Sequence, residues 1–171
     1  MKQSQDPVRV LLVEDSPTDA MLLRESLQDY ALQAFTVEHA ERLDEALERL
    51  AKGRFDVVLL DLDLPDSRGI ETCNRLHETA SHVPLIIMTG ADDETTASEA
   101  MRLGAQDYLV KGQAAGGTVG RAIRYAIERH RTAEEMAWLA RIPEENPNPV
   151  LRVGADSQLL YRNPASEKLS R

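Results

Sequence analysis

Three short, nearly continuous runs of apolar residues constrain the fold of this chain more than any other feature. They are VRVLLV (8–13), FDVVLL (55–60) and PLIIM (84–88). Runs this short and this uniformly apolar are typical of strands that are covered on both faces, as in a parallel sheet. Two weaker runs, LQAFTVE (32–38) and QDYLV (106–110), are further strand candidates.

The segments between these runs carry apolar residues at helical spacing. The five sets are Ala20, Leu23 and Leu27; Leu43, Ala46, Leu47 and Leu50; Ile70, Cys73 and Leu76; Ala97, Ala100 and Met101; and Val119, Ile123, Ala126 and Ile127. Helix starts are predicted at Ser16 and Pro17, at Asp66 and Ser67, and at the acidic run 92–94. The alternation predicts a doubly wound α/β domain with a five-stranded parallel sheet in the order 2-1-3-4-5.

Composition excludes several classes of protein. A chain of 171 residues can hold one well-cored domain and a remainder. No apolar run approaches the ~20 residues that cross a bilayer. The net charge of −9 argues against non-specific nucleic-acid binding by the whole chain. Cys73 is the only cysteine, so no disulfide framework is expected. We therefore expect a cytoplasmic protein without a membrane span or direct nucleic-acid contacts.

Acidic residues follow two of the predicted strands at the point where each strand ends. Glu14 and Asp15 follow the first strand, and Asp61 ends the third. Strands one and three are neighbours in the predicted order, so these carboxylates should converge at the carboxyl edge of the sheet. Such a cluster needs a cation, and hard oxygen ligands suit Mg²⁺. The alternative is that these acids are simply solvated residues of turns. The presence of two acidic turns at adjacent strand ends makes that alternative the weaker one.

Two more strand ends carry polar residues. Thr89 follows PLIIM, and Lys111 follows QDYLV. A hydroxyl that donates a hydrogen bond and an ammonium that offsets charge are what a phosphoryl group needs beside a metal-bound carboxylate. Either residue alone is most simply a strand-end or surface side chain, but together they indicate a phosphoryl site.

The motifs VLLVEDSPTD, DVVLLDLDLPD, PLIIMTG and GAQDYLVKG resemble the receiver domain of bacterial response regulators over residues 7 to about 130. The resemblance implies a flavodoxin-like fold in which Asp61 is the phosphoacceptor. It also implies that Asp15 and Asp61 are Mg²⁺ ligands, that Asp63 adds its backbone carbonyl, and that Glu14 acts in the outer shell. Tyr108 matches the aromatic residue that changes rotamer on activation.

Two positions depart from the family pattern. Gly112 stands where proline usually follows the lysine, which predicts a looser turn into the last helix. Asp63 places an extra acidic side chain at a position that tunes the lifetime of the phosphoryl group in the family.

The resemblance implies a switch in a two-component phosphorelay, not an enzyme that turns over external substrates. A histidine kinase or phosphotransfer protein would phosphorylate Asp61 with Mg²⁺, after which Thr89 and Tyr108 would move inward. The sequence LLDLDLPD leaves one alternative open, a phosphatase of the haloacid-dehalogenase type with Asp61 as its nucleophile. Against it, that family places its nucleophile strand early in the chain and an acidic pair after the lysine.

The last helix is predicted to be long. No breaker follows Gly120 for more than twenty residues, and Val119, Ala126, Ala133 and Ala140 are spaced seven apart. A helix over 117–141 with this stripe predicts a weak parallel homodimer, formed by the helix, by the face of helix four, strand five and helix five, or by both. The prolines in PEENPNPV (143–150) should end the helix.

The remaining sequence, VLRVGADSQLLYRNPASEKL, predicts a strand, a turn, a strand and a helix entry at Asn163 and Pro164. It resembles the opening of a PAS sensory domain. The predicted organisation is a receiver domain over 1–130, a helical linker and possible coiled coil over 131–142, and the truncated start of a PAS-like domain over 143–171.

Overall fold

The structure is a computed structural model that describes residues 6–90, 94–112, 117–154 and 158–166, with backbone alone at 94 and 139–145. It contains two compact units, residues 1–130 and 131–171. No helix in these described ranges is both long enough and apolar enough to cross a membrane.

A five-stranded parallel sheet forms the centre of the first unit. Its strands are β1 (Val8–Val13), β2 (Phe35–Ala40), β3 (Val57–Asp61), β6 (Leu85–Thr89) and β7 (Asp107–Val110). They pair in the order β2-β1-β3-β6-β7, which confirms the predicted order of sheet strands. Two-residue strands, β4 (Asp63–Leu64) and β5 (Ser67–Arg68), form a small antiparallel hairpin directly after β3.

Helices cover both faces of the sheet, and this explains the uniform apolar runs. The helices are α1 (Pro17–Gln28), α2 (Leu43–Lys52), α3 (Ile70–Ala80), α4 (Glu94–Arg102) and α5 (Thr118–Glu145). One core cluster joins the sheet to α2, α3 and α4, and the other joins it to α1 and the first part of α5. Every residue of β3 and β6 is buried, because each strand lies between two helical layers.

The first helix begins where the sequence predicts. Ser16 is the N-cap of α1, its hydroxyl accepts a hydrogen bond from the Asp19 N–H at 3.3 Å, and Pro17 occupies the first turn. The acidic signal at 92–93 lies outside the described residues, and α4 is described from Glu94 onward.

The predicted start of the third helix at Asp66 and Ser67 is wrong. Helix α3 begins at Ile70, after Gly69 in a left-handed conformation (φ 58°). Asp66 instead caps a different helix: its carboxylate accepts hydrogen bonds from the N–H groups of Leu43 and Asp44, each at 3.0 Å. The first residues of α2 have no side-chain cap of their own, so this distant aspartate satisfies their free N–H groups.

The C-terminal end of α5 also differs from the prediction. The helix continues past Pro143 to Glu145. A proline near a helix end removes one hydrogen bond without ending the helix at once, whereas Pro147 disfavours the helical conformation of Asn146 before it. The prolines therefore end the helix as a group, a few residues later than expected.

The second unit contains an antiparallel pair, β8 (Leu151–Val153) and β9 (Leu159–Arg162), as predicted from the sequence. The predicted turn at 155–156 lies outside the described residues. Asn163 is buried and fully bonded: its amide oxygen accepts the Val150 N–H at 2.8 Å, and its amide nitrogen donates to the carbonyls of Asn146 and Asn148. A single 3₁₀ turn follows at 164–166.

The cap of α2 gives the first testable prediction. Burial by itself raises the pKa of Asp66, but the N–H groups of Asp44 and Leu43 outweigh it and hold the pKa below its ordinary value. We expect Asp66→Ala to lower the free energy of unfolding by about 1 kcal/mol at neutral pH, which is the usual cost of losing a cap.

Because the pKa of Asp66 is lower in the folded state, this stabilisation is present above about pH 4 and is lost as the pH falls through the folded-state pKa. Urea unfolding of the wild type and of Asp66→Ala should therefore differ less in acid than at neutral pH. Asp63→Ala, an exposed acid of the same loop, is the control and should cost less than about 0.5 kcal/mol. An equal cost for both substitutions would contradict the capping role.

Candidate functional site

Three carboxylates converge at the carboxyl edge of the sheet. Glu14 and Asp15 follow β1, Asp61 ends β3, and the two strands are hydrogen-bonded neighbours with Val13 opposite Leu60. One carboxylate oxygen from each acid lies within 4.8 Å of the others. Glu14 and Asp61 are buried and Asp15 is exposed, so the cluster opens to solvent on one side.

Lys111 contacts the buried part of this cluster. Its ammonium nitrogen Nζ lies 2.6 Å from Asp61 Oδ2 and 2.8 Å from Glu14 Oε2. Strand β7 brings the lysine to this position, and its backbone N–H donates to the Thr89 carbonyl at the end of β6 at 2.8 Å. The ammonium therefore links the ends of β1 and β3, which carry the two buried acids, to the end of β7, which carries the lysine.

Burial and the contacts between Lys111 and the acids have opposite effects on the pKa values of this cluster. Burial raises the pKa of Glu14, and the hydrogen bond from Lys111 only partly opposes it. Burial would lower the pKa of Lys111, but its hydrogen bonds to Asp61 and Glu14 outweigh it and raise the pKa. The lysine is therefore firmly cationic, and its hydrogen bond favours the charged form of Glu14 without cancelling the effect of burial.

The loop after β3 shapes the other side of Asp61. The Asp63 N–H donates to Asp61 Oδ1 at 3.2 Å, so each oxygen of the Asp61 carboxylate has its own partner. The Asp63 side chain is exposed and pairs with Arg68 at 3.3 Å. The extra acidic charge noted in the sequence thus has a nearby cation, although an exposed pair of this kind contributes little stability.

Thr89 and Tyr108 occupy the next two strands. Thr89 is the last residue of β6 and is buried, next to the strand end that carries Asp61. Tyr108 lies on β7 opposite Ile87, and 42% of its surface is exposed. The tyrosine ring is therefore turned towards solvent in this structure, and the role of both residues as switches stays a prediction.

Gly112 has a structural reason to replace the family's proline. Its φ of 79° lies in the left-handed region, whereas the proline ring fixes φ near −65°. The chain thus leaves Lys111 by a turn that proline cannot form.

Sequence reasoning missed two contacts of the site. Asp19 Oδ2 lies 3.7 Å from Lys111 Nζ, and the Ser16 N–H donates to Glu14 Oε1 at 3.1 Å. Asp19 lies in the first turn of α1, where acidic residues are common because they interact favourably with the helix N-terminus, so its position offered no signal of the contact with Lys111.

The donor set fits a magnesium ion. The three clustered acids supply only hard oxygen atoms, and Asp15 is open to solvent, where an ion that keeps several water ligands can enter.

Lys111 gives a prediction for the stability of the site. Lys111→Met leaves buried Glu14 and Asp61 without their ammonium, so we expect a loss of about 2 kcal/mol in the free energy of unfolding at about pH 7.5. The raised pKa of Glu14 means that its charged form destabilises the fold as the pH rises above its ordinary value of 4.5.

The loss should therefore shrink at about pH 4.5, where Glu14 binds a proton more readily. Lysine itself stays protonated over this interval. Thermal unfolding at the two pH values measures the effect, and Lys52→Met, which removes an exposed lysine paired with Glu48, is the matched control. A loss that is the same at both pH values would contradict the account of Glu14.

Comparison with known proteins identifies the family of the first unit. The family model for the response regulator receiver domain matches residues 10–119. Response regulator MprA of Mycobacterium sp. strain KMS is 35% identical over 105 residues, which cover 61% of this chain and 44% of the relative. Transcriptional regulatory protein ResD of Bacillus subtilis strain 168 is 31% identical over 103 residues, 60% of this chain and 41% of the relative.

This chain therefore matches less than half the length of these two relatives. Among solved structures, a response regulator receiver domain protein from Clostridium thermocellum superposes with a TM-score of 0.63 at 26% identity, covering 74% of this chain and 98% of that one. The matched residues include the acidic edge, Thr89 and Lys111. The chain belongs to the response regulator receiver domain family of two-component signalling systems.

Proposed function

We propose that this protein is a phosphorylation-dependent switch that accepts a phosphoryl group on Asp61 from a histidine kinase or a phosphotransfer protein. The observation that supports it most strongly is the position of the Asp61 carboxylate, buried, 2.6 Å from Lys111 Nζ and clustered with Glu14 and Asp15. A nucleophilic oxygen, a fixed cation and a set of oxygen ligands thus meet at the carboxyl edge of the sheet.

In the proposed reaction an oxygen of Asp61 attacks phosphorus, and the bond from phosphorus to the donor's histidine nitrogen breaks. Asp15, Asp61 and the Asp63 backbone carbonyl would hold Mg²⁺, with Glu14 in the outer shell. The bound ion would offset the negative charge on the transferred oxygens. The Lys111 ammonium would offset the charge of the phosphoryl group as a second cation beside the metal. The Thr89 hydroxyl would donate a hydrogen bond to a phosphoryl oxygen.

Phosphorylation would cause a conformational change that extends from this site to the face of α4, β7 and α5. Thr89 moves towards the phosphoryl group and leaves space into which Tyr108, now partly exposed, can turn. The change repacks the surface of that face, because the added charge and hydrogen bonds favour the inward arrangement. The protein acts as a signalling component and not as a turnover enzyme, and the family match speaks against the haloacid-dehalogenase alternative.

We infer that the signal continues through α5 into the second unit. In this organisation residues 1–130 are the receiver domain, 131–142 a helical linker, and 143–171 the start of a PAS-like domain. The hairpin of β8 and β9 with the buried Asn163 supports a domain opening of this kind. We place the protein in the cytoplasm, without direct nucleic-acid contacts of its own, in keeping with the net charge of −9 and a single, unpaired cysteine.

A weak parallel homodimer is part of the proposal. Residues 131–138 of α5 are exposed, including Met136 at 67% and Trp138 at 63%. Ala133 of the predicted stripe and Ala137, four residues further along the same helix face, are exposed. Their small side chains bury little area, so the helix pairing should be weak on its own. The face of α4, β7 and α5 offers a second contact after phosphorylation.

The acceptor is tested by direct modification. Acetyl phosphate with Mg²⁺ should add one phosphoryl group to the wild type, and Asp61→Asn should abolish it, because an amide is not a nucleophile of this kind. Intact-protein mass spectrometry measures the product, and Asp63→Asn is the matched control that keeps the acceptor. Persistent labelling of Asp61→Asn would place the acceptor elsewhere.

The dimer is tested by sedimentation. The 171-residue chain should associate weakly, and a chain that ends at residue 128 should be monomeric, with beryllofluoride and Mg²⁺ strengthening the association of the full chain. Ala133→Glu places a charge in the stripe and should dissociate the dimer, whereas Arg131→Glu introduces the same residue outside the stripe and should not. Monomers under all conditions would leave the helix as a spacer only.

A further inference from the structure

His39 makes a contact with the acidic site that the proposed reaction does not use. It is the penultimate residue of β2, half-buried, and pairs with Leu12 of β1. Its ring nitrogen Nε2 lies 2.7 Å from the backbone carbonyl oxygen of Glu14. A carbonyl oxygen can only accept a hydrogen bond, so Nε2 carries the proton in this contact.

The same strand end binds the other backbone group of Glu14. The Glu14 N–H donates to the Ala40 carbonyl at 3.0 Å. The ladder between β1 and β2 ends at the pair of Val13 and Ala40. The imidazole of His39 therefore takes the place of a ladder partner for a carbonyl that lies one residue beyond the strand.

This contact fixes the direction in which Asp15 leaves the strand. The Glu14 carbonyl and the Asp15 N–H belong to one planar peptide group, so a bond that holds the carbonyl also orients the nitrogen that carries Asp15. On the other side of Asp15, the Ser16 N–H is bonded to Glu14 Oε1 at 3.1 Å. The exposed Asp15 thus stands between two fixed peptide groups.

We propose that His39 is a positioning residue for the acidic cluster, which acts by holding the peptide between Glu14 and Asp15 in the orientation that presents Asp15 to the metal. The inference rests on the proposed function, since it concerns the ligand set of that site. Partners one step removed from a metal ligand commonly decide how well the ligand is oriented.

Two variants separate positioning from packing. His39→Gln keeps an N–H donor, because the glutamine amide nitrogen stands as many bonds from Cβ as Nε2 does in histidine. His39→Met has similar length without a donor. If His39 only fills space at the end of β2, both variants should behave alike.

The test measures Mg²⁺ affinity by calorimetry and, in metal-free protein, the backbone amide resonance of Asp15. We expect His39→Met to weaken Mg²⁺ binding roughly tenfold and His39→Gln to stay within about twofold of the wild type. In metal-free protein the Asp15 amide should broaden in His39→Met and remain sharp in His39→Gln. Thermal unfolding of each variant shows whether a change in affinity only follows a change in stability.

Equal Mg²⁺ affinity in all three proteins, with the wild type binding, would overturn the role of His39 and leave the proposed function intact. Equal weakening in both variants, in step with lost stability, would likewise overturn it and assign His39 to packing. No Mg²⁺ binding by the wild type would instead contradict the proposed function itself.

Discussion

The ion pair between Lys111 and the buried acids Glu14 and Asp61 is the interaction on which the site depends. Two buried carboxylates with a third nearby would repel one another strongly in surroundings of low polarity. The ammonium at 2.6 Å from Asp61 and 2.8 Å from Glu14 allows both to stay close without a bound metal. The pKa of Glu14 is nevertheless raised, mainly by burial and in smaller part by the nearby Asp61, so Lys111 does not fully compensate the cluster. A further cation at this edge would favour the charged acids.

The sheet makes this arrangement possible, since only its topology brings residues from distant parts of the chain to one edge. β1 and β3 lie side by side at the point where the strand order reverses, and β7 delivers the lysine from the opposite side of β6. The rigid, fully buried strands β3 and β6 fix the positions of Asp61 and Thr89. The loops around them are fixed by side chains: Asp66 binds the start of α2, and His39 binds the Glu14 carbonyl.

The strands and the convergence of the acids could be predicted from the sequence because both depend on patterns within short segments. Strand order then followed from the rule for doubly wound sheets. The start of α3 could not be predicted, because aspartate is a residue type that commonly caps the helix directly after it. Asp66 instead binds the start of a helix more than twenty residues earlier in the chain. Asp19 and His39 were missed for the same reason: each acts through a tertiary contact, and neither the spacing nor the type of residue reveals its partner. The extension of α5 past Pro143 shows that one proline near a helix end is a weaker signal than several together.

The central claim of the proposed function is that the acids at the carboxyl edge, which Lys111 compensates only in part, can bind Mg²⁺. The measurement that tests it most directly is the free energy of unfolding of the wild type and of Asp15→Asn as a function of Mg²⁺ concentration. Binding to the folded state alone should stabilise the wild type, by about 2.7 kcal/mol when the ion is present at a hundred times its dissociation constant. Asp15→Asn, which loses one anionic ligand, should show a much smaller increase over the same range. A wild type whose stability does not respond to Mg²⁺, or a variant that responds equally, would contradict the account.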